Sequence, residues 1–349
     1  DESMGIANPV CMRWDASGRL WVLCTWAYPQ LKPGTKPNDK LLILEDTKGD
    51  GRADKISTYI DGLNMPTGFA LGHGGAYIGN GRDLIHVRDT TGDGKADKRE
   101  VLFTGFGTGD THQNINSFAW SPGGELFFSQ GLHCFSRVQT PWGIRKLDEH
   151  GSWRLRPLRR QLHAHRRTSG GGNPWGFAFG NWGEPFIKSN GTGVSELLPA
   201  MVSSEQIIGG YWGGTVQIGA TKIKSMIIEI VDTSVLPKDF QGDFLIAGYY
   251  ARNIARLRPS VNGAGHKLQT LAPILTSTHN AFRPVDLNTG PDGALYVADW
   301  FNPIIGHYQA SLRHPNRDKK HGRIWRITSK GQSLLKPPAL AKMNAAQLC

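Results

Sequence analysis

The densest run of reactive side chains is Gly109-Asp110-Thr111-His112-Gln113-Asn114-Ile115-Asn116, a histidine, a carboxylate and three amides that follow neither a helix nor a strand period. A histidine close to a carboxylate suits a general base, because imidazole titrates near neutrality. The plainer reading is a turn whose side chains only satisfy the backbone. A second segment, Ser169-Gly170-Gly171-Gly172-Asn173-Pro174-Trp175-Gly176, permits close approach of backbone to a flat ligand, or serves as a simple linker. In a third, His279-Asn280-Ala281-Phe282-Arg283-Pro284-Val285-Asp286, the arginine can grip a carboxylate in bidentate fashion or pair with Asp286. Asp299-Trp300-Phe301-Asn302 is followed by His307, His314, Asp318 and His321. That histidine spacing matches neither a helical pair nor a compact zinc loop, so structural roles are expected.

Two acidic turns are nearly identical. One carries Asp46, Asp50 and Asp54, the other Asp89, Asp93 and Asp97. Their carboxylates sit as in half of an oxygen-ligand calcium loop, but Lys48 and Thr91 interrupt the pattern and no glutamate closes it. Each Asp-Gly pair also suits a tight hairpin connection with a solvated rim, the simpler expectation. The four cysteines, Cys11, Cys24, Cys134 and Cys349, form no CxxC pair, which excludes thiolate zinc and c-type haem within this segment. Cys11 and Cys24 flank a hairpin and read as small buried apolar residues.

These segments need a scaffold. The 349 residues are 39% hydrophobic and 20% charged, with 44 glycines, 20 prolines and 11 tryptophans. That mix favours short strands and tight turns. No stretch approaches the roughly 18 apolar residues of a membrane-spanning helix. The formal net charge of +11 favours anionic partners. Part of it lies in Arg154, Arg156, Arg159, Arg160, Arg166 and Arg167, with His163 and His165 among them; without a nucleic-acid-binding motif, this stretch reads as a solvated loop and no nucleic-acid partner is expected.

A glycine turn followed by a short apolar strand recurs six times, with glycines at Gly18, Gly74, Gly124, Gly183, Gly242 and Gly293. The spacing of roughly 55 residues holds about four strands with their turns, one propeller blade per repeat. The expectation is an all-β, six-bladed β-propeller over residues 1–328. Residues 329–349 are expected to form a linker and the start of a truncated helical region. The chain opens at Asp1 without a leader and reads as a trimmed fragment.

Several motifs then carry a family resemblance over about residues 8–328. They are Asn64-Met65-Pro66-Thr67-Gly68-Phe69-Ala70, His112-Gln113 before a strand, Asn173-Pro174-Trp175-Gly176-Phe177-Ala178-Phe179, and Phe282-Arg283-Pro284-Val285-Asp286 before the last glycine turn. The chain resembles the soluble quinoprotein glucose/sorbosone dehydrogenases, in particular the propeller region of membrane-bound-dehydrogenase-type proteins of planctomycetes and verrucomicrobia. The resemblance implies a sugar dehydrogenase that binds pyrroloquinoline quinone (PQQ), periplasmic or secreted, passing electrons to a cytochrome c-type acceptor. It implies that His112 is the base, with Asp110 near the place of its orienting acid, and that Arg283 and Asn173 contact the cofactor. Gln113, Arg252, Tyr250, Asn64, His133 and His279 complete the candidate set. Three family cations are replaced: Gly172 and Ala281 stand for arginines, and Tyr250 falls near the place of a lysine, with Arg252 as the nearby substitute. Those departures keep a second expectation open, a carbohydrate lyase, hydrolase or glycan-binding propeller that uses His112, His133, His279 and a metal, its positive field attracting acidic glycan.

Overall fold

The computed structural model describes residues 1–166, 172–189, 191–197, 215–306 and 310–348. Their strands form a six-bladed β-propeller, as the glycine repeat implies. Blade 1 contains β1 (Pro9–Trp14), β2 (Leu20–Cys24), β3 (Asp39–Glu45) and β4 (Lys55–Leu63). Blade 2 contains β5 (Pro66–Gly72), β6 (Gly75–Asn80), β7 (Asp83–Arg88) and β8 (Lys98–Thr104). Blade 3 contains β9 (Asn116–Trp120) and β10 (Leu126–Gln130), then an inserted hairpin of β11 (Phe135–Thr140) and β12 (Gly143–Asp148), then β13 (Gly151–Arg156) and β14 (Gln161–Arg166). Blade 4 contains β15 (Phe177–Phe179), β16 (Pro185–Ser189), β17 (Gly193–Leu197) and β18 (Thr215–Ala220). Blade 5 contains β19 (Met226–Ile230), β20 (Phe244–Gly248), β21 (Asn253–Asn262) and β22 (Gly265–Thr276). Among the described residues blade 6 has three strands, β23 (Pro284–Thr289), β24 (Leu295–Asp299) and β25 (Arg323–Ile327), not the four that its repeat length suggests. The long connection between β24 and β25 takes up the difference.

All pairings are antiparallel, and β1, β5, β9, β15, β19 and β23 touch one another in a closed ring around the channel. The ring closes where β1 meets β23 and the Asn8 amide donates to the His321 carbonyl at 2.9 Å. The six repeat glycines all lie between the first and second strands of their blades, with φ of +75° to +82°. Left-handed backbone is open to glycine at little steric cost, which is why the turn is written so plainly in the sequence.

Apolar faces of adjacent blades pack together. Phe118, Phe128 and Trp153 are fully buried, and the two phenyl rings stack with centroids 5.0 Å apart. Each such side chain contributes about 1.5–3 kcal/mol through burial. Cys11, Cys24 and Cys134 are free and buried, and burial pushes each thiol up to about 12, as expected of apolar packing residues.

The arginine-rich stretch is not a loop. Arg154 and Arg156 belong to β13 and alternate with buried Trp153 and Leu155, the period of a half-buried strand. Arg156 pairs with Glu125 at 2.6 Å, and Arg160 pairs with Glu100. Arg167 lies outside the described residues. Past residue 328 the chain stays on the propeller: Leu335 donates to the Asp292 carbonyl at 2.9 Å, and the tail ends in a short helix, α1 (Ala345–Leu348). No helix among the described residues is long and apolar enough to cross a membrane.

Candidate functional site

Antiparallel order sorts the loops to two ends. The six glycine turns and both acidic turns lie at one end. The segments that enter each inner strand, and the loops joining second to third strands, gather at the other. Inner strands of blades 1, 2, 3, 5 and 6 carry a bulge near their entry, which re-aims the side chains beneath that second mouth.

The blade 2–3 crossover supplies the core of the site. His112 Nδ1 lies 3.0 Å from Asp110 Oδ1, with the carboxylate buried and the imidazole about one-fifth exposed. The imidazole stacks on Trp175 from blade 4, with centroids 5.4 Å apart and planes 8° from parallel. Gln113 is fully buried and donates from Nε2 to Asn173 Oδ1, joining the crossovers into blades 3 and 4. Thr111 anchors the loop by donating to the Pro29 carbonyl of blade 1 at 2.7 Å. Three of the sequence candidates, His112, Gln113 and Asn173, therefore meet across two blades.

Arg283 enters from blade 6. Its Nε donates to the Asn302 carbonyl at 3.0 Å and its Nη1 to the Tyr249 carbonyl at 3.1 Å. Desolvation, then the nearby Arg252 charge, hold its guanidinium below the ordinary arginine range. Arg252 has a buried Nε without a hydrogen-bond partner. Tyr250 is 40% exposed beside Tyr249, with ring centroids 4.8 Å apart. Burial raises the Tyr28 phenol, which also feels Arg317, Asp110 and Tyr250. Tyr28 packs edge-on against Trp300 at 5.0 Å. It thus links the His112 side of the mouth to the arginine side.

The remaining candidates find other partners, although the His133 backbone lies against Gly109 of the His112 loop. Asp286 pairs with Arg13 at 2.9 Å, not with Arg283. Asn64 is exposed, its amide held by Asn80 Oδ1 at 2.7 Å. His133 is exposed, with its amide on Glu149 at 2.9 Å. His279 stacks on Phe301 at 5.5 Å. Ser169, Gly170, Gly171 and His307 lie outside the described residues. His321 bonds Asp318 at 2.6 Å and stabilises its own loop. Tyr28 and Arg317 carried no motif in the sequence, because long loops bring them to the mouth, and Trp300 stood out only within Asp299-Trp300-Phe301-Asn302, where a structural role was expected.

The acidic turns lie at the far end. Asp46 accepts amides of Gly49, Asp50 and Gly51 at 2.6–3.2 Å, and Asp89 accepts amides of Thr91, Gly92 and Gly94 at 2.6–3.1 Å. Asp54 accepts from Thr47, and Asp97 from Thr90. Asp50 and Asp93 each accept an amide two residues on, from Arg52 and Lys95 at 2.9 Å. Among the described residues no three His, Cys, Asp or Glu side chains converge as a metal-binding group. The carboxylates cap their own turns, and the second turn also ties blade 2 to blade 1 through Ala96 N to the Tyr59 carbonyl at 2.7 Å.

Solved structures share this fold at low identity. An oxidoreductase of Thermus thermophilus described as a glucose dehydrogenase is 17% identical over 92% of this chain and 97% of its own, with a TM-score of 0.58. A luciferin-regenerating enzyme is 11% identical over 95% of this chain and 94% of its own, with a TM-score of 0.56. The apo aldose sugar dehydrogenase of Escherichia coli is 16% identical over 84% and 93%, with a TM-score of 0.51. At such identity they establish the fold and not the activity. No curated protein matches the sequence. One family model spans residues 2–226 and 224–331, so the chain belongs to the family described as a domain of unknown function, DUF7133.

Proposed function

We propose that this propeller is an oxidoreductase that oxidises a carbohydrate hydroxyl, with His112 as the general base. The observation that carries the reading is the Asp110–His112 pair at the channel mouth, 3.0 Å apart, its imidazole partly exposed and backed by Trp175. With Nδ1 facing the carboxylate, Nε2 is the atom that takes the proton. Asp110 stabilises the imidazolium that results, and Trp175 fixes the ring plane. Gln113 and Asn173 hold the two crossovers together, so the base keeps its place relative to blade 4.

The donors present fit PQQ, a planar and multiply anionic cofactor. Arg252 offers a buried, unpartnered Nε, and an anion relieves its repulsion with Arg283. When bound, PQQ supplies a quinone that accepts the hydride. Arg252 and Arg283 would hold the carboxylates, with Asn173 at the edge. The positions of Gly172 and Ala281 give no cation, so the charge balance rests on these two arginines.

The test is titration of the purified chain with PQQ and calcium, read by absorbance and melting temperature, followed by dye-linked turnover on aldoses. A ligand at 100 times its Kd raises native stability by about 2.7 kcal/mol. An unchanged melting temperature at near-millimolar PQQ, with no turnover, rejects the reading in favour of a non-redox carbohydrate-active propeller.

A further inference from the structure

Beside the mouth, the β2–β3 loop of blade 1 and the β24–β25 connection of blade 6 enclose a cavity of about 480 Å³. Lys32, Lys36, Arg313, Arg317 and Lys319 line it, and no carboxylate does. Six arginines elsewhere in the propeller, Arg13, Arg19, Arg256, Arg258, Arg323 and Arg326, each meet an aspartate. Among the described residues none of the five pocket cations forms an ion pair with a carboxylate. Arg317 is 7% exposed. It donates to the Ser311, Gly306 and Ala310 carbonyls at 2.7–3.2 Å, yet leaves a buried Nη1 without a partner. Desolvation holds Arg317 and Lys319 below their ordinary ranges; Asp39, buried behind the pocket, pulls Lys319 back up, and Arg317 and Arg313 push it down again.

Five like charges in one basin repel one another, and a bound anion removes that cost. The cavity is larger than a single inorganic anion needs, and its cations come from two separate loops. Trp26, Gln30 and Asn38 also line it, residue types that commonly meet sugar rings and hydroxyls. It adjoins the His112 loop through Tyr28 and through the Thr111–Pro29 hydrogen bond.

We propose that this pocket binds the acidic groups, carboxylate or sulfate, of an anionic saccharide. That the same saccharide is the molecule His112 acts on rests on the oxidoreductase reading; binding in the pocket does not.

Calorimetric titration of the full chain tests this without turnover. The probes are an oligogalacturonate, a sulfated galactan oligosaccharide, a neutral galactan of equal length, inorganic sulfate and a single-stranded oligonucleotide. The expected result is binding of an acidic saccharide, weakened by salt, and whichever probe wins identifies carboxylate or sulfate. The exposed triple variant Lys32→Ala/Lys36→Ala/Arg313→Ala should weaken it by about tenfold, whereas His112→Ala should leave it unchanged. Equal binding of neutral galactan, inorganic sulfate binding as tightly as the saccharides, no binding of either acidic probe, an unaffected triple variant, or tighter binding of the oligonucleotide each overturns the proposal. Failure of PQQ titration with saccharide binding intact rejects only the redox reading.

Discussion

Glu229 of blade 5 accepts hydrogen bonds from both the amide and the hydroxyl of Thr289 in blade 6, at 2.7 and 2.6 Å. This clamp joins two neighbouring inner strands inside the channel, where Asp286 and Arg13 also lie. Burial pushes the Glu229 carboxyl up to about 7, against the pull of those hydrogen bonds. Between the ordinary glutamate value near 4.5 and about 7, the folded protein therefore binds more protons at this site than the unfolded chain. Stability accordingly falls as pH rises through that window. Glu229→Gln keeps an acceptor for Thr289 and removes the titration. Thermal melts at pH 5 and pH 8 should show the variant gaining about 1–3 kcal/mol over the parent at pH 8 only. An equal gain at both values would mean that Glu229 does not titrate there.

His112→Ala should leave the melting temperature nearly unchanged, because the ring is partly exposed at the channel mouth and outside the hydrophobic core clusters. Dye-linked turnover should fall about 10²–10⁴-fold, the usual contribution of a positioned base. Asp110→Asn keeps the shape and removes the charge, so its turnover should fall less and its pH profile should shift. A variant His112→Ala that unfolds would make the histidine a packing residue. Full activity in that variant would put the base elsewhere.

The repeat was legible because each turn demands a left-handed residue, so geometry is written directly as glycine. The His112 loop was legible because its polar run fits no secondary-structure period. Long-range partnerships were not. Arg283 stands three residues from Asp286, yet the carboxylate finds Arg13 from the far end of the chain. Closure of the ring decides that pairing, and no local pattern encodes it. By charge alone the β13 arginines resemble a solvated loop, but they alternate with Trp153 and Leu155, which carry the strand period. The lysines and arginines of the basic pocket lie in two loops nearly 300 residues apart in sequence, joined only by the fold.

The acidic turns should respond to sequence and not to chelators. Excess EDTA should leave the melting temperature unchanged, since the Asp46 and Asp89 carboxylates accept amides of their own turns. Asp89→Ala should lower it measurably. Backbone and threonine hydrogen bonds hold Asp54, Asp89 and Asp97 below the usual carboxylate range, so their contribution is present above pH 4 or so and fades as pH falls further. A chelator-sensitive melting temperature would instead reveal bound calcium.

Gly131 tests how the site is supported. Its φ is not left-handed, so space and not conformation requires glycine. A Cβ there would lie 1.7 Å from Gln113 Oε1 and 2.8 Å from Gln113 Cβ. Gln113 must then swing away, and its cross-blade bond to Asn173 goes with it. The backbone contact from Gly131 N to the Gln113 carbonyl, 2.9 Å, resists any shift of the strand itself. Gly131→Ala should therefore cost about 1–3 kcal/mol, the usual range for overpacking, and should lower turnover along with it. Gly123→Ala is the control, because its nearest neighbour would be Ser121 Oγ at 3.8 Å and its φ is not left-handed. That change should be neutral or stabilise by up to about 1 kcal/mol through the unfolded state. If Gly131→Ala melts and turns over like the control, Gln113 has room to move and does not hold His112 in place.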